Sequence, residues 1–181
     1  MTHRRRLPAA AVLLCALLAG CAQIAPDPGV RRDDPNDMQL MAAGRATCLA
    51  TSASQNGQGA AATNAVRRDA GLPPVRPDPV LARVAAQHAC DMANRGRMTH
   101  AGSKTSGPGP RVKAAGYAPA VTAENIAAGP FSQERVLAEW NASGGHRANM
   151  LIPQLRDYGI GQAIGPDGKT RFWAAVYAAP K

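Results

Sequence analysis

Aromatic residues are scarce in this chain: two Trp, three Tyr and two Phe stand among 181 residues, 4% of the total. They are not interleaved with its Lys and Arg, so a base-stacking platform is not supported and a nucleic-acid partner is not expected. No G-x-S-x-G elbow is present, which removes the usual frame for a serine nucleophile. No H-E-x-x-H helix supplies a local zinc motif. Nor is there an internal repeat, and beyond the N-terminal leader no segment is apolar enough to span a bilayer.

What is present begins with a leader. Met1-Thr2-His3-Arg4-Arg5-Arg6 is a positive n-region, and Leu7 to Ala19 is an apolar run too short for a mature spanning helix. The pattern predicts export, with residues 1–20 as signal peptide. Leu18-Ala19-Gly20-Cys21 resembles the bacterial lipobox, which implies lipidation of Cys21. A plain secretory cleavage nearby and an uncleaved anchor are the alternatives. By the same resemblance, Ala22 after the cysteine favours the periplasmic face of the outer membrane in a Gram-negative cell. Residues 21–36, with Pro26, Pro28 and Pro35, read as the lipidated cysteine and a flexible tether.

Processing changes both cysteine count and charge. Cys15 leaves with the leader and Cys21 is acylated, so Cys48 and Cys90 remain. In an exported protein they are expected to form a disulfide, with two buried thiols as the alternative. The formal charge of +9 rests on 21 Lys and Arg against 12 acids, and loss of Arg4, Arg5 and Arg6 leaves +6. Residues 64–113 carry nine of the cations and three Asp. Such a field favours an anionic lipid or envelope polymer, though a solvated basic face is the commoner explanation.

The remainder has the length of one domain, assigned to residues 60–181, with residues 37–59 as an N-terminal extension of helical potential. Asp78-Pro79 starts a helix that Gly96 stops, and Leu81, Val84, Ala85, His88, Ala89 and Met92 share its apolar face. His88 on that stripe is therefore expected to be a hydrogen-bonded core histidine. A helix is predicted over Ala60 to Ala70, ended by Gly71-Leu72-Pro73-Pro74, and another from Ser132 through Trp140, with Trp140 in the core. Gly102 to Pro110 reads as irregular. Alternation from Tyr158 to Ile164, the Gly165-Pro166-Asp167-Gly168 turn and the run Phe172 to Tyr177 predict a β-hairpin. Helices followed by strands point to an α+β fold.

Two histidines of the mature chain, His100 and His146, flank Glu124. Two His and one Glu is a composition found at open zinc sites, and the same groups carry acid/base chemistry. The alternative is a buried polar network in which Glu124 fixes both imidazoles.

Taken together, several segments identify the chain as similar to the CAP superfamily, or SCP domain, in its bacterial branch. They include Asn64-Ala65-Val66-Arg67, Gly71-Leu72-Pro73-Pro74-Val75, Met98-Thr99-His100, Arg111-Val112-Lys113-Ala114-Ala115-Gly116-Tyr117, Glu124-Asn125-Ile126-Ala127 and Trp140 through Leu151. The resemblance implies a three-layer α-β-α sandwich around a small central antiparallel sheet. It also implies a cleft in which His100, Glu124 and His146 occupy three positions of a His/acid tetrad, able in some members to hold a divalent cation, zinc foremost. Ser143 stands where many eukaryotic members carry the second acid. Glu139, four residues earlier on the predicted helix, is expected to lean toward His146, or else to be a solvated helix residue. Asn125 and Ser143 are candidates for hydrogen bonds to a ligand, although Ser143 also suits a helix end.

Two functions follow. One is a membrane-tethered binding module for an anionic or amphipathic envelope ligand. The other is a metal-dependent hydrolase of an ester, peptide, glycan or nucleic acid, with Glu124 as base and His100 and His146 holding the cation. The residues leave the ligand and the oligomeric state open.

Overall fold

The computed structural model describes Met1 and residues 37–181, so the leader, the Cys21 lipidation site and the tether lie outside the described residues. The domain is built on a sheet whose centre is the predicted hairpin, β6 (Asp157–Ile164) and β7 (Arg171–Pro180). Its turn forms because Asp167 accepts from the backbone N–H of Lys169 and Thr170, and Gly168 takes a positive φ of 70°. β5 (Pro119–Gly129) pairs antiparallel along the other edge of β7. Outside β6 lie two short strands, β2 (Thr47–Cys48), antiparallel, and β3 (Arg76–Pro77), parallel. The sheet is thus antiparallel apart from that one two-residue pairing.

β7 is buried on both faces and sorts its side chains by the two-residue period of a strand. Trp173, Ala175 and Tyr177 enter a core shared with Ala60, Val66, Val136, Trp140 and Met150. Phe172, Ala174, Val176 and Ala178 enter a second core with Leu81, Val84, Ala85, Ala89 and Met92. Helices therefore cover both faces of the sheet, as an α-β-α sandwich requires. On the second face lies α2 (Pro79–Arg95), begun by the Asp78 cap on Leu81 N–H at 2.8 Å and closed by left-handed Gly96. Gly159 and Gly161 of β6 face it; a Cβ at either would fall on its backbone at Leu81–Ala82 or Ala85–Ala86.

The first face carries α1 (Ala53–Asp69), α4 (Gln133–Ala142) and α5 (Gly144–Met150). α4 begins at the Ser132 cap, as predicted. By contrast α1 starts seven residues before the predicted Ala60, at a Ser52 cap on Gln55 N–H, so the end of the segment read as an extension of helical potential is helical and continuous with it. Its first turns carry no apolar stripe because they bury polar and small residues. Asn56 donates to the Asp78 carbonyl and accepts from Ile160 N–H, and Gly59 lies against the Tyr158 ring. The rest of that segment is stitched on by β2 and by β1 (Met38–Gln39), which pairs with β4 (Arg97–Met98). Cys48 and Cys90 are joined in a disulfide that ties β2 to α2, with Cα atoms 5.1 Å apart.

Pro108–Ala114 forms a short helix, α3, that begins at the end of the segment read as irregular and runs past it, with prolines in its first turn. Another feature invisible to hydrophobic patterning is Arg67, fully buried in α1. Its guanidinium donates to the carbonyls of Pro73, Met150 and Ile152 at 2.8–2.9 Å. One charged fork thereby satisfies the chain ends that leave α1 and α5.

Candidate functional site: a buried carboxylate among histidines and arginine

β5 places consecutive residues on opposite faces of the sheet, and this separates the roles of Glu124 and Asn125. Glu124 points toward α2 and α3; its side chain is 1% exposed. His100, in the loop after β4, donates from Nδ1 to Glu124 Oε1 at 2.9 Å. On the other oxygen, Arg111 of α3 donates from Nη2 to Oε2 at 2.5 Å. The same guanidinium uses Nη1 for the His100 carbonyl at 2.9 Å and reaches Thr105 Oγ1 at 3.3 Å. A single arginine thus pins both Glu124 and the loop that carries His100.

His88 of α2 completes the cluster. As expected it is buried and hydrogen-bonded, donating from Nε2 to the Thr99 carbonyl at 3.0 Å. The same nitrogen lies 3.6 Å from Glu124 Oε1, too long for a hydrogen bond but close enough to feel the charge. Nδ1 of His88 is buried without a partner among the described residues, consistent with a neutral ring.

Asn125 looks the other way and is wholly buried. Its amide donates to the His146 carbonyl at 3.1 Å and to Tyr177 Oη at 3.3 Å, while Oδ1 accepts from Asn149 at 2.9 Å. Asn149 also donates to the Glu124 carbonyl. With its amide and carbonyl engaged inside the fold, Asn125 is a clamp between β5 and α5, which corrects its assignment as a ligand contact. Ser143 ends α4 and starts α5, making no side-chain cap bond. Trp140 is core, donating to the Ile126 carbonyl.

His146 stands apart from the carboxylate. Its ring lies against Trp140, centroids 6.4 Å apart, and its buried Nδ1 has no partner among the described residues. Glu139 does not lean to it: the carboxylate is held by Arg135 one turn away at 2.6 Å. The i, i+4 partner on the same exposed helix face wins because no loss of hydration is needed to reach it.

The expected ligand set of His100, Glu124 and His146 does not fit a divalent cation. Among the described residues no three His, Cys, Asp or Glu side chains are placed to hold a metal ion. The physical reason is Arg111, which occupies the oxygen a metal would need, while His100 spends Nδ1 on the other. Sequence reasoning missed Arg111 because nothing local distinguishes it from the eight other cations of residues 64–113.

The electrostatics follow from burial and these partners. For Glu124 burial is the largest influence and raises the pKa, yet the His100 hydrogen bond, the His88 charge and Arg111 together outweigh it and hold the carboxyl below its ordinary range. Burial, then the charge of His100, lowers His146. His88 is pushed down from 6.5 to about 4, chiefly by burial against the opposing pull of Glu124.

A pH dependence results. A histidine whose folded pKa is depressed favours folding fully above pH 6.5 and loses that contribution as pH falls toward about 4. Urea midpoints of the wild type are expected to drop across that window, by an amount equivalent to about 2–3 kcal/mol at its acid end. His88→Gln should flatten the slope. An equally steep wild-type and variant profile would show that His88 is not its source.

Away from this cluster, an apolar groove of about 830 Å³ lies between the β2–α1 segment and the outer side of α2. Leu49, Ala53, Pro79, Ala82 and Ala86 line it beside the disulfide, and Arg83 lies at its wall. None of His100, Glu124 and His146 borders it.

Comparison with known proteins places this geometry in a family. Residues 60–177 match the family described as CAP, the cysteine-rich secretory protein family. The Bacillus subtilis protein YkwD, described as uncharacterized, is 33% identical over 99 residues, which cover 55% of this chain and 38% of that protein. The chain thus spans well under half the length of that relative. Among solved structures, an extracellular SCP-domain protein of Bacillus anthracis is similar with a TM-score of 0.61 and 27% identity, over 70% of this chain and 41% of that one. An outer surface protein of Borrelia burgdorferi shares the fold with a TM-score of 0.64 at 17% identity, over 76% of this chain and 99% of the other.

Proposed function

The chain belongs to the cysteine-rich secretory protein (CAP) family, and from that premise we propose that it is an exported, membrane-tethered binding module for an amphipathic ligand with an anionic head. Export and anchoring are supported by the basic n-region, the apolar run and the Leu18-Ala19-Gly20-Cys21 sequence. The disulfide suits an oxidising compartment. Similar structures from Bacillus anthracis and Borrelia burgdorferi are an extracellular and an outer surface protein. Acylation at Cys21 would hold the domain at the membrane, at the periplasmic face of the outer membrane if the cell is Gram-negative. Among the described residues no helix is long and apolar enough to cross it.

The observation that carries the ligand reading is the apolar groove beside α2. Its size suits a small amphipath, its walls are mostly apolar, and Arg83 has no ion-pair partner among the described residues. An acyl chain would lie along Ala82 and Ala86 while its head meets the guanidinium.

The hydrolase reading asks Glu124 to take a proton from water. A carboxylate 1% exposed, with both oxygens bound by His100 and Arg111, is poorly placed for that.

Titration of the mature protein with cis-parinarate, a fluorescent fatty-acid anion, tests the binding reading. Saturable uptake is expected, abolished by Ala86→Trp and weakened about tenfold by Arg83→Ala. His100→Ala with His146→Ala should leave it intact. Lack of saturation, or uptake insensitive to Ala86→Trp, would remove the groove as the binding site.

A further inference from the structure

We propose that residues 38–45 form the face with which the domain meets an anionic bilayer, Met38 and Leu40 entering the headgroup layer beside Arg45 and Lys169. This deepens the membrane-tether reading and rests on it only for how the domain reaches the membrane. Met38 is 50% exposed and Leu40 38%, and among the described residues after Met1 no other large apolar side chain is exposed. A lone exposed leucine carries little meaning, but here all such surface is gathered within three residues.

The segment is held in place on the domain. β1 pairs with β4, and the N–H groups of Leu40 and Met41 donate to the Gly96 carbonyl at 2.9 and 3.2 Å. Gln39, between the two exposed side chains, donates its amide to the carbonyls of Arg95 and Gly96 at 3.1 and 3.2 Å. Met41 packs against the core beneath α2. Met38 and Leu40 are thus presented by a fixed backbone, so their insertion would remove apolar surface from water at little cost in ordering the chain.

The charges beside them suit anionic headgroups. No acidic residue occurs between Asp37 and Asp69, and exposed Arg45 has no ion-pair partner among the described residues. Gly44 lies against Pro166, which brings the hairpin turn and exposed Lys169, likewise without an ion-pair partner among the described residues, next to the segment. The acids at this end are already engaged: Asp37 by Arg97, Asp91 by Arg95, and Asp167 by the N–H groups of its own turn. Two uncompensated cations next to an exposed apolar pair match the layered chemistry of a membrane surface, phosphate above and acyl chain below. Chain continuity delivers this same edge, because residues 22–36 join Cys21 to Asp37 and span at most about 50 Å.

Sedimentation of the mature chain carrying Cys21→Ser with vesicles tests the surface without any acyl anchor. Binding is expected to vesicles of phosphatidylethanolamine and phosphatidylglycerol, well above that to phosphatidylcholine alone. Met38→Glu with Leu40→Glu should lower the partition coefficient at least about tenfold, as should Arg45→Gln with Lys169→Gln. Near-UV circular dichroism establishes that each variant is folded, and Met38→Ser with Leu40→Ser replaces the glutamate pair should that pair fail to fold. Trp140 and Trp173 are buried, so the indole of Leu40→Trp reports on position 40. Its emission should shift to the blue on anionic vesicles and be quenched by brominated acyl chains. Because no acyl group is present, the result does not depend on lipidation of Cys21, and cis-parinarate uptake by the same variants without vesicles reads the groove separately. No preference for the anionic vesicles, or undiminished binding by a folded Met38 and Leu40 double variant, would overturn the proposal.

Discussion

Gly161→Val is expected to destabilise the domain by about 3 kcal/mol or more, enough to deplete soluble protein. Gly161 sits on β6 where α2 crosses the sheet, and a Cβ there would fall on the backbone at Ala85 and Ala86. Backbone cannot rotate away as a flexible side chain can, so α2 would have to lift from the sheet. That movement would open the core in which Leu81, Ala85, Ala89 and Met92 meet Phe172 and Ala174. Gly159→Val should behave alike, since its Cβ would meet Leu81 and Ala82. Gly57→Ala is the contrasting case. That glycine lies inside α1 with nothing near its Cβ position, so alanine should stabilise by about 0.5–1 kcal/mol. Urea denaturation of the three variants checks the ordering. A Gly161→Val protein with wild-type midpoint would show that α2 packs less closely than described.

The second large effect concerns Glu124. Glu124→Ala should cost about 3–5 kcal/mol, because it strands a largely buried guanidinium at Arg111 and leaves His100 and His88 without their acid. Replacing both members, as Glu124→Leu with Arg111→Met, should recover much of that loss, since the penalty lies in the unpaired charge more than in the absent bond. A double-mutant cycle measures the coupling directly. Additive single and double effects would mean that the two side chains act independently.

This coupling also marks where sequence reading reached and where it stopped. Asp78, Pro79 and Gly96 announced α2, and Ser132 announced α4, because capping and positive φ are decided within a few residues. The hairpin was legible from alternation and its turn. α1 was seen only from Ala60 onward, since Asn56 and Gly59 earn their burial through contacts with Ile160 and Tyr158, a hundred residues away. α3 and α5 were missed because seven-residue helices lack room for a period.

For the site, family resemblance singled out His100, Glu124 and His146, and the fold does seat His100 on Glu124. It does not seat His146 there, and it turns Asn125 to the opposite face of β5. Arg111 could not be chosen from sequence among the cations around it, yet it decides the chemistry of the carboxylate. So too with Arg67, whose carbonyl partners come from separate stretches of chain.

Local chemistry in the sequence by itself determined the elements with strong caps and periods, the pairing candidates Cys48 and Cys90, and the residue types available to a site. Tertiary structure alone decided which charges meet, because ion pairing depends on distances of a few ångströms between segments whose separation in sequence carries no such information. Glu124 is the clearest instance: an acid anywhere in solution is a potential ligand or base, and between Arg111 and His100 it is a buried counterion.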